Sequence, residues 1–142
     1  MKHFESKKQV FEYIKNKFLK KDVKGILIEG SSVYKKLKNF SDVDFVVFNK
    51  TKIKPYAEIV LVNGKIVLIT GYFYLAKKSK KLEKGLILYG ECFEEIEHRG
   101  NLKYTPKERT KRNKQMFVDM LFKYLRSKKL NYLNSANKYF KK

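Results

Sequence analysis

Two short stretches of this chain hold the residue types that phosphate binding and divalent-cation coordination require. Gly30-Ser31-Ser32 follows the apolar run Ile26-Leu27-Ile28, and Asp42-Val43-Asp44 leads into Phe45-Val46-Val47-Phe48 after a spacer of ten residues beyond Ser31. A glycine lets backbone approach a phosphate closely. Serines at the mouth of a helix add hydroxyl donors to the free N–H groups found there. In a strand successive side chains alternate faces, so Asp42 and Asp44 point one way and Val43 and Phe45 the other, with the two aspartate Cα atoms roughly 6–7 Å apart. Such carboxylates suit Mg²⁺, a hard cation that completes its shell with water and substrate phosphates. Two ions about 4 Å apart would stabilise both the attacking and the leaving oxygen of an in-line displacement. Acids on a strand otherwise made of valine and phenylalanine are costly unless something pairs with them.

The elements that must position these residues follow from periodicity. Phe4, Phe11, Ile14 and Phe18 recur at helical spacing among lysines and predict an amphipathic helix over about 4–20. A short buried strand over 25–28 follows, then a helix from Ser31 to about Lys38 and a strand over 42–48. Ala57–Val62 and Lys65–Thr70 are β-rich runs flanking Asn63-Gly64, the dipeptide of a type I′ turn. With two turn residues, Val62 pairs with Lys65 and Glu58 faces Ile69. Residues 74–84 predict a helix ended by Gly85, and 86–90 an edge strand or extended segment. Thr105-Pro106-Lys107-Glu108 is a capping box with proline at the first helical position. It opens a long helix whose apolar stripe is Met116, Phe117, Met120, Leu121, Tyr124 and Leu125, and a second helix spans about 130–140. The expected fold class is α+β with an α/β-like core: a small mixed sheet flanked by helices. Residues 1–100 form the core and 101–142 a basic helical extension packed on the same domain.

Bulk properties narrow the function. At 142 residues the chain is one domain, and 43% hydrophobic with 15% aromatic residues is enough to build a core. One cysteine, Cys92, makes no internal disulfide, and with His3 and His98 it makes no structural zinc site. No apolar run approaches membrane-spanning length and the first residues lack a secretory signal, so no membrane contact and a cytoplasmic location are expected. Residues 101–142 carry 13 of the 34 basic residues but 2 of the 14 acids, a net +11 of the total +20. A segregated positive field of this size points to a polyanion, nucleic acid first; a lysine-rich surface of thermophilic type would raise charge without a ligand. Glu91, Glu94, Glu95 and Glu97 read as a solvated helix face. Tyr72, Phe73 and Tyr74 read as packing under the N-terminal helix, with base stacking as the other use of such a run.

The order of apolar strand, Gly30-Ser31, spacer, Asp42 and Asp44 opening a second apolar strand resembles the signature of the DNA-polymerase-β-like nucleotidyltransferase superfamily, in particular its minimal members. Leu88-Tyr89-Gly90 is similar to a segment often found after the core in those proteins, and the resemblance covers about residues 4–90. It implies a nucleotidyltransferase fold that binds a nucleoside triphosphate, ATP among them. Gly30, Ser31 and Ser32 would bind the nucleotide, Asp42 and Asp44 the catalytic Mg²⁺ or Mn²⁺. It also implies a third carboxylate on a later strand. That strand should be Lys65–Thr70, yet Ile66-Val67-Leu68-Ile69 contains no acid. Glu58 is the nearest substitute if its face of the hairpin looks toward Asp42 and Asp44, and an ordinary strand glutamate otherwise. The arginine that commonly follows the glycine–serine pair is also absent, with Ser32 in its place.

The activity so implied is Mg²⁺-dependent transfer of a nucleoside monophosphate from NTP or dNTP to a hydroxyl of nucleic acid, an RNA 3′-end or a primer terminus. The alternative is a weak or inactive nucleotidyltransferase-fold protein that binds nucleic acid or serves as an antitoxin-like accessory to a protein partner.

Overall fold

Alternation in the strands and a helical apolar stripe in residues 10–18 dictate a sheet with one face sealed by that helix. The computed structural model describes residues 1–49, 55–75, 85–92 and 105–140. In chain order the elements are β1 (His3–Phe4), α1 (Lys7–Phe18), β2 (Val23–Glu29), β3 (Ser41–Asn49), β4 (Tyr56–Val62), β5 (Lys65–Leu75), β6 (Leu86–Gly90), α2 (Pro106–Ser127) and α3 (Leu130–Phe140). The strands make one mixed sheet in the order β1-β4-β5-β3-β2-β6. Central β3 runs parallel to β5 and antiparallel to β2. The architecture is α+β, with helices on both faces of the sheet.

One face is the core. Val43, Phe45 and Val47 of β3, Ile26 and Ile28 of β2, Val67 and Ile69 of β5 and Val60 and Val62 of β4 bury against Val10, Phe11 and Ile14 of α1. The Phe45 ring stacks among Phe18, Tyr56 and Phe73 at centroid distances of 4.8, 5.9 and 6.2 Å. It also lies directly over Gly71, where any Cβ would strike the ring, so a strand that favours bulky residues carries a glycine there. The opposite face is smaller and less apolar. Leu27, Val46, Phe48 and Cys92 cluster there, and α2 contributes Gln115, Asp119 and Phe122.

Several expected features hold. Asn63 and Gly64 both have positive φ (48° and 76°), the type I′ geometry, and Val62 pairs with Lys65 while Glu58 faces Ile69. β6 is an edge strand antiparallel to β2. The Thr105 side chain accepts from Glu108 N and the Glu108 side chain from Thr105 N, a reciprocal cap.

Three elements differ from those predicted. The first helix is shorter, because Ser6 caps it by accepting from Gln9 N and Phe4 pairs in β1. The helix expected over 31–38 is only a 3-10 turn, Ser31–Val33. β2 and β3 are antiparallel neighbours, so no crossover helix is needed to join them. Tyr34 stands 76% exposed, and only Val33 and Leu37 of this segment pack on the core. The aromatic run at 72–74 continues β5 rather than starting a helix, since β5 follows β3 in register out to Asn49↔Leu75. The rest of that expected helix, 76–84, and Glu94, Glu95, Glu97 and His98 lie outside the described residues.

Candidate active site

β3 delivers both aspartates to the face away from α1. Alternation requires this, because Val43 and Phe45 are fully buried on the α1 side. In register, Asp44 lies between Glu29 of β2 and Thr70 of β5, and Asp42 lies beside Leu68. Gly30 adjoins them: a Cβ there would come 3.7 Å from Asp44 Oδ2. Its φ of 82° is one that residues with side chains rarely adopt. The structure therefore brings Gly30, Asp42 and Asp44 together, with Ser31 and Ser32 in the turn that follows. The expected helix is only a 3-10 turn there, so this segment offers backbone groups, hydroxyls and lysines and no helix dipole.

The electrostatics are unbalanced toward negative charge. The Asp44 carboxyl is pushed up to about 6 from the ordinary 3.8, chiefly by burial and next by the charge of Asp42; Asp119 and Glu29 add to the rise, and a hydrogen bond donated by the Thr70 hydroxyl opposes it. Asp42 Oδ1 accepts from Arg126 Nη1 at 2.8 Å, and the same nitrogen donates to Phe40 O at 3.2 Å. Asp119, 6% exposed on α2, is raised by burial and by Asp42, with Lys123 Nζ 3.5 Å away as its counter-charge. Carboxylates gathered in this way are found both in ion-pair networks and at sites that bind cations. Among the described residues no set of three His, Cys, Asp or Glu is near enough to hold a metal. The two carboxylates of β3 nevertheless fit Mg²⁺, which takes one or two from protein and the rest from water and phosphate.

A cleft of about 510 Å³ opens beside the pair, lined by Ser31, Ser32, Lys35, Lys36, Asp42 and Arg126 among others. Ser32 is 4% exposed, and its Oγ has no hydrogen-bond partner among the described residues. An orphaned hydroxyl at the edge of a lysine-lined cleft is a ready donor to an anion. On the other side of α2 a second groove of about 360 Å³ has Ala57, Ile59, Leu68 and Val118 in its walls, together with Lys111 and Lys114.

Glu58 is not brought to the aspartates. It sits opposite Ile69 on the α1 face, and its carboxylate accepts from Tyr13 Oη at 2.6 Å and Tyr56 Oη at 2.8 Å. Burial, the Tyr13 contact and the Glu58 charge raise Tyr56, keeping its hydroxyl protonated as a donor. The residue across from Asp44 on β5 is Thr70, and it is neutral. Sequence reasoning missed Thr70, Asp119, Arg126 and Gln115, the last of which donates from Nε2 to Tyr56 O at 3.0 Å while its Oε1 has no partner among the described residues. The signal for Asp119 and Arg126 was present: with Gln115 and Phe122 they recur every three or four residues, one stripe of α2. Of the aromatic run, Phe73 packs under α1 against Phe18 at 5.8 Å, and Tyr72 emerges on the α2 face with the Arg112 guanidinium 5.4 Å above its ring. Burial pushes the Cys92 thiol up to about 11, so it is inert as a nucleophile. No helix among the described residues is long and apolar enough to cross a membrane. Comparison with protein-family models, with curated proteins and with solved structures finds no match for this chain.

Proposed function

We propose that this chain is a Mg²⁺-dependent nucleotidyltransferase that moves a nucleoside monophosphate from a nucleoside triphosphate onto a nucleic acid hydroxyl, with Mn²⁺ as a substitute ion. The observation that carries this reading is the position of Asp42 and Asp44 on one sheet face, Asp44 beside Gly30 and Asp42 in the wall of a cleft lined by serines and lysines. Asp42 and Asp44 would hold the ion, with Thr70 fixing the Asp44 rotamer. The ion would supply charge neutralisation on the triphosphate. Ser31, Ser32 and the lysines of the turn would hold phosphate oxygens, positioning them for in-line displacement without a covalent intermediate. The acceptor would lie along the basic first turns of α2, Lys107 through Lys114, whose charge draws phosphates regardless of sequence.

Incubation with Mg²⁺ or Mn²⁺, labelled nucleotides and either tRNA or primed DNA tests the proposal. Divalent-dependent incorporation that Asp44→Asn lowers by about 10²–10³-fold is expected. Salt-sensitive binding of nucleic acid with no incorporation under any of these conditions overturns it. That outcome would favour the second reading, a nucleotidyltransferase-fold binding protein without turnover. The observations on its side are the neutral Thr70 where a carboxylate would complete the site and the ion pair that Arg126 makes with Asp42.

A further inference from the structure

Arg126 belongs at once to the acidic pair and to the cleft. Its Nη1 lies 2.8 Å from Asp42 Oδ1 and 3.2 Å from Phe40 O, and its charge also reaches Asp119. Yet its side chain remains 35% exposed while that of Asp42 is 15% exposed, so the guanidinium has room to leave. It stands among the lining groups of the cleft with Ser31, Ser32, Lys35 and Lys36. Directly after Gly30-Ser31 the chain has no arginine; Arg126, at the end of α2 and 84 residues beyond Asp42, lines the same cleft. A guanidinium forks onto carboxylate and phosphate oxygens with the same geometry. The Asp42 carboxylate and a bound triphosphate would therefore compete for it.

The anchorage of that helix end is local and strained. Phe40 adopts φ 65°, the left-handed region, and is held there by its N–H on Ile66 O at 2.7 Å, by Arg126 on its carbonyl and by the Phe122 ring of α2 at 5.6 Å. Ser32 Oγ, buried and with no partner among the described residues, is a hydroxyl donor beside the cleft. From these observations, and resting on the nucleotidyltransferase reading, we infer that Arg126 is an exchangeable counter-ion. Without a divalent cation it neutralises Asp42. When a cation takes Asp42, Arg126 moves onto the phosphates of the nucleotide and supplies from α2 the arginine that the turn after Gly30 lacks. It is a phosphate-binding residue, and it couples the C-terminal helix to occupancy of the site.

The test is thermodynamic and needs no turnover. Binding of Mn²⁺ alone, and of a non-hydrolysable ATP analogue in the presence of Mn²⁺, is measured for the full chain and for Arg126→Ala, Arg126→Lys and Lys129→Ala. The last removes one exposed charge of the same region. Exchange predicts opposite signs: Arg126→Ala binds Mn²⁺ roughly 3–10-fold tighter, because Asp42 is released, and the analogue about 10-fold weaker. Arg126→Lys falls between, and Lys129→Ala changes neither beyond a general charge effect. A salt bridge of purely structural value would move both affinities together or leave both unchanged, and either result, with thermal unfolding showing the variants folded, overturns the inference. So does a wild-type protein that binds neither probe. Opposite shifts in a protein that never incorporates nucleotide leave Arg126 as assigned while refuting nucleotidyl transfer, so the two failures are distinguishable.

Discussion

On the α1 face of the sheet Val43, Phe45, Val47, Val67 and Ile69 are each wholly buried against Val10 and Ile14. On the α2 face the residues interleaved with them are Asp42, Asp44, Leu68 and Thr70, and the helix above them carries Gln115, Asp119 and Arg126. The first face buries mainly apolar groups, although Asn49, next in line after Val47, is buried with neither side-chain polar atom partnered among the described residues. Its carboxylate at Glu58 receives two tyrosine hydroxyls. The second keeps like charges near one another, a Gln115 acceptor with no partner among the described residues and a phenylalanine in left-handed backbone. Two surfaces of the same strands thus differ: one is chiefly apolar core, and the other holds charged groups whose burial costs stability. The lesson is that a residue's role here is set by which side of β3 it leaves from.

The sharpest test of that division uses neighbours. Phe45→Ala removes a fully buried ring packed on Phe18, Tyr56 and Phe73, and should destabilise the fold by about 3–5 kcal/mol in urea unfolding. A loss below about 1 kcal/mol would mean that the α1 face is not the core.

One position earlier the sign should reverse. Folding raises the Asp44 carboxyl from 3.8 to about 6. The native state therefore holds the proton more tightly than the unfolded chain, and stability falls as pH rises through that window, the full penalty being present above pH 6. Asp44→Asn should stabilise the metal-free protein in EDTA at pH 7 by an amount on the order of 2 kcal/mol, and should flatten the loss of stability between pH 4 and 6. Added Mg²⁺ should raise the melting temperature of the wild type and not of this variant. A variant less stable than wild type at pH 7 in EDTA would erase the contrast between the two faces.

Much of this arrangement was legible before any coordinates. Alternation alone sent Asp42 and Asp44 to one side of a strand, and Asn63-Gly64 set the register that put Glu58 opposite Ile69. What alternation could not say was which side of the hairpin faces the aspartates. That depends on the order β4-β5-β3, a long-range pairing with no local signal. Serines before a polar stretch at 31–38 look like a helix start, whereas antiparallel β2 and β3 need no crossover helix and the chain makes only a 3-10 turn there. The C-terminal site residues were hidden for another reason. An amphipathic reading assigns Met116, Phe117 and Leu121 to the sheet and polar residues to water. In the fold, Phe117 packs instead on Phe140 of α3, at 5.5 Å between ring centroids, and the polar stripe of α2 goes down onto the sheet. An acid such as Asp119 standing alone in a basic segment was the available hint.

Glu58 sharpens the comparison from the other side. Glu58→Gln leaves the shape intact and replaces two charge-assisted hydrogen bonds with neutral ones, so a stability loss of about 1–2 kcal/mol is expected. Affinity for Mn²⁺ and any nucleotide incorporation should be unchanged, because the carboxylate points at α1. Loss of incorporation in a folded Glu58→Gln protein would return Glu58 to the site and break the assignment of faces.

The smallest effect expected is at Gln115, where the polar face meets the sheet. Gln115→Met deletes the Nε2 donor to Tyr56 O, which leaves that carbonyl short of a partner, and also deletes the buried Oε1 that has none among the described residues. The first change costs about 0.5–1.5 kcal/mol and the second returns a similar amount, since an unsatisfied buried acceptor carries its own desolvation penalty. Methionine is close in volume and flexible enough to fill the space. The net change in unfolding free energy should stay within about 1 kcal/mol of zero. A loss above about 2 kcal/mol would mean that Oε1 has a partner after all, and that the α2 face is better satisfied than its described contacts imply.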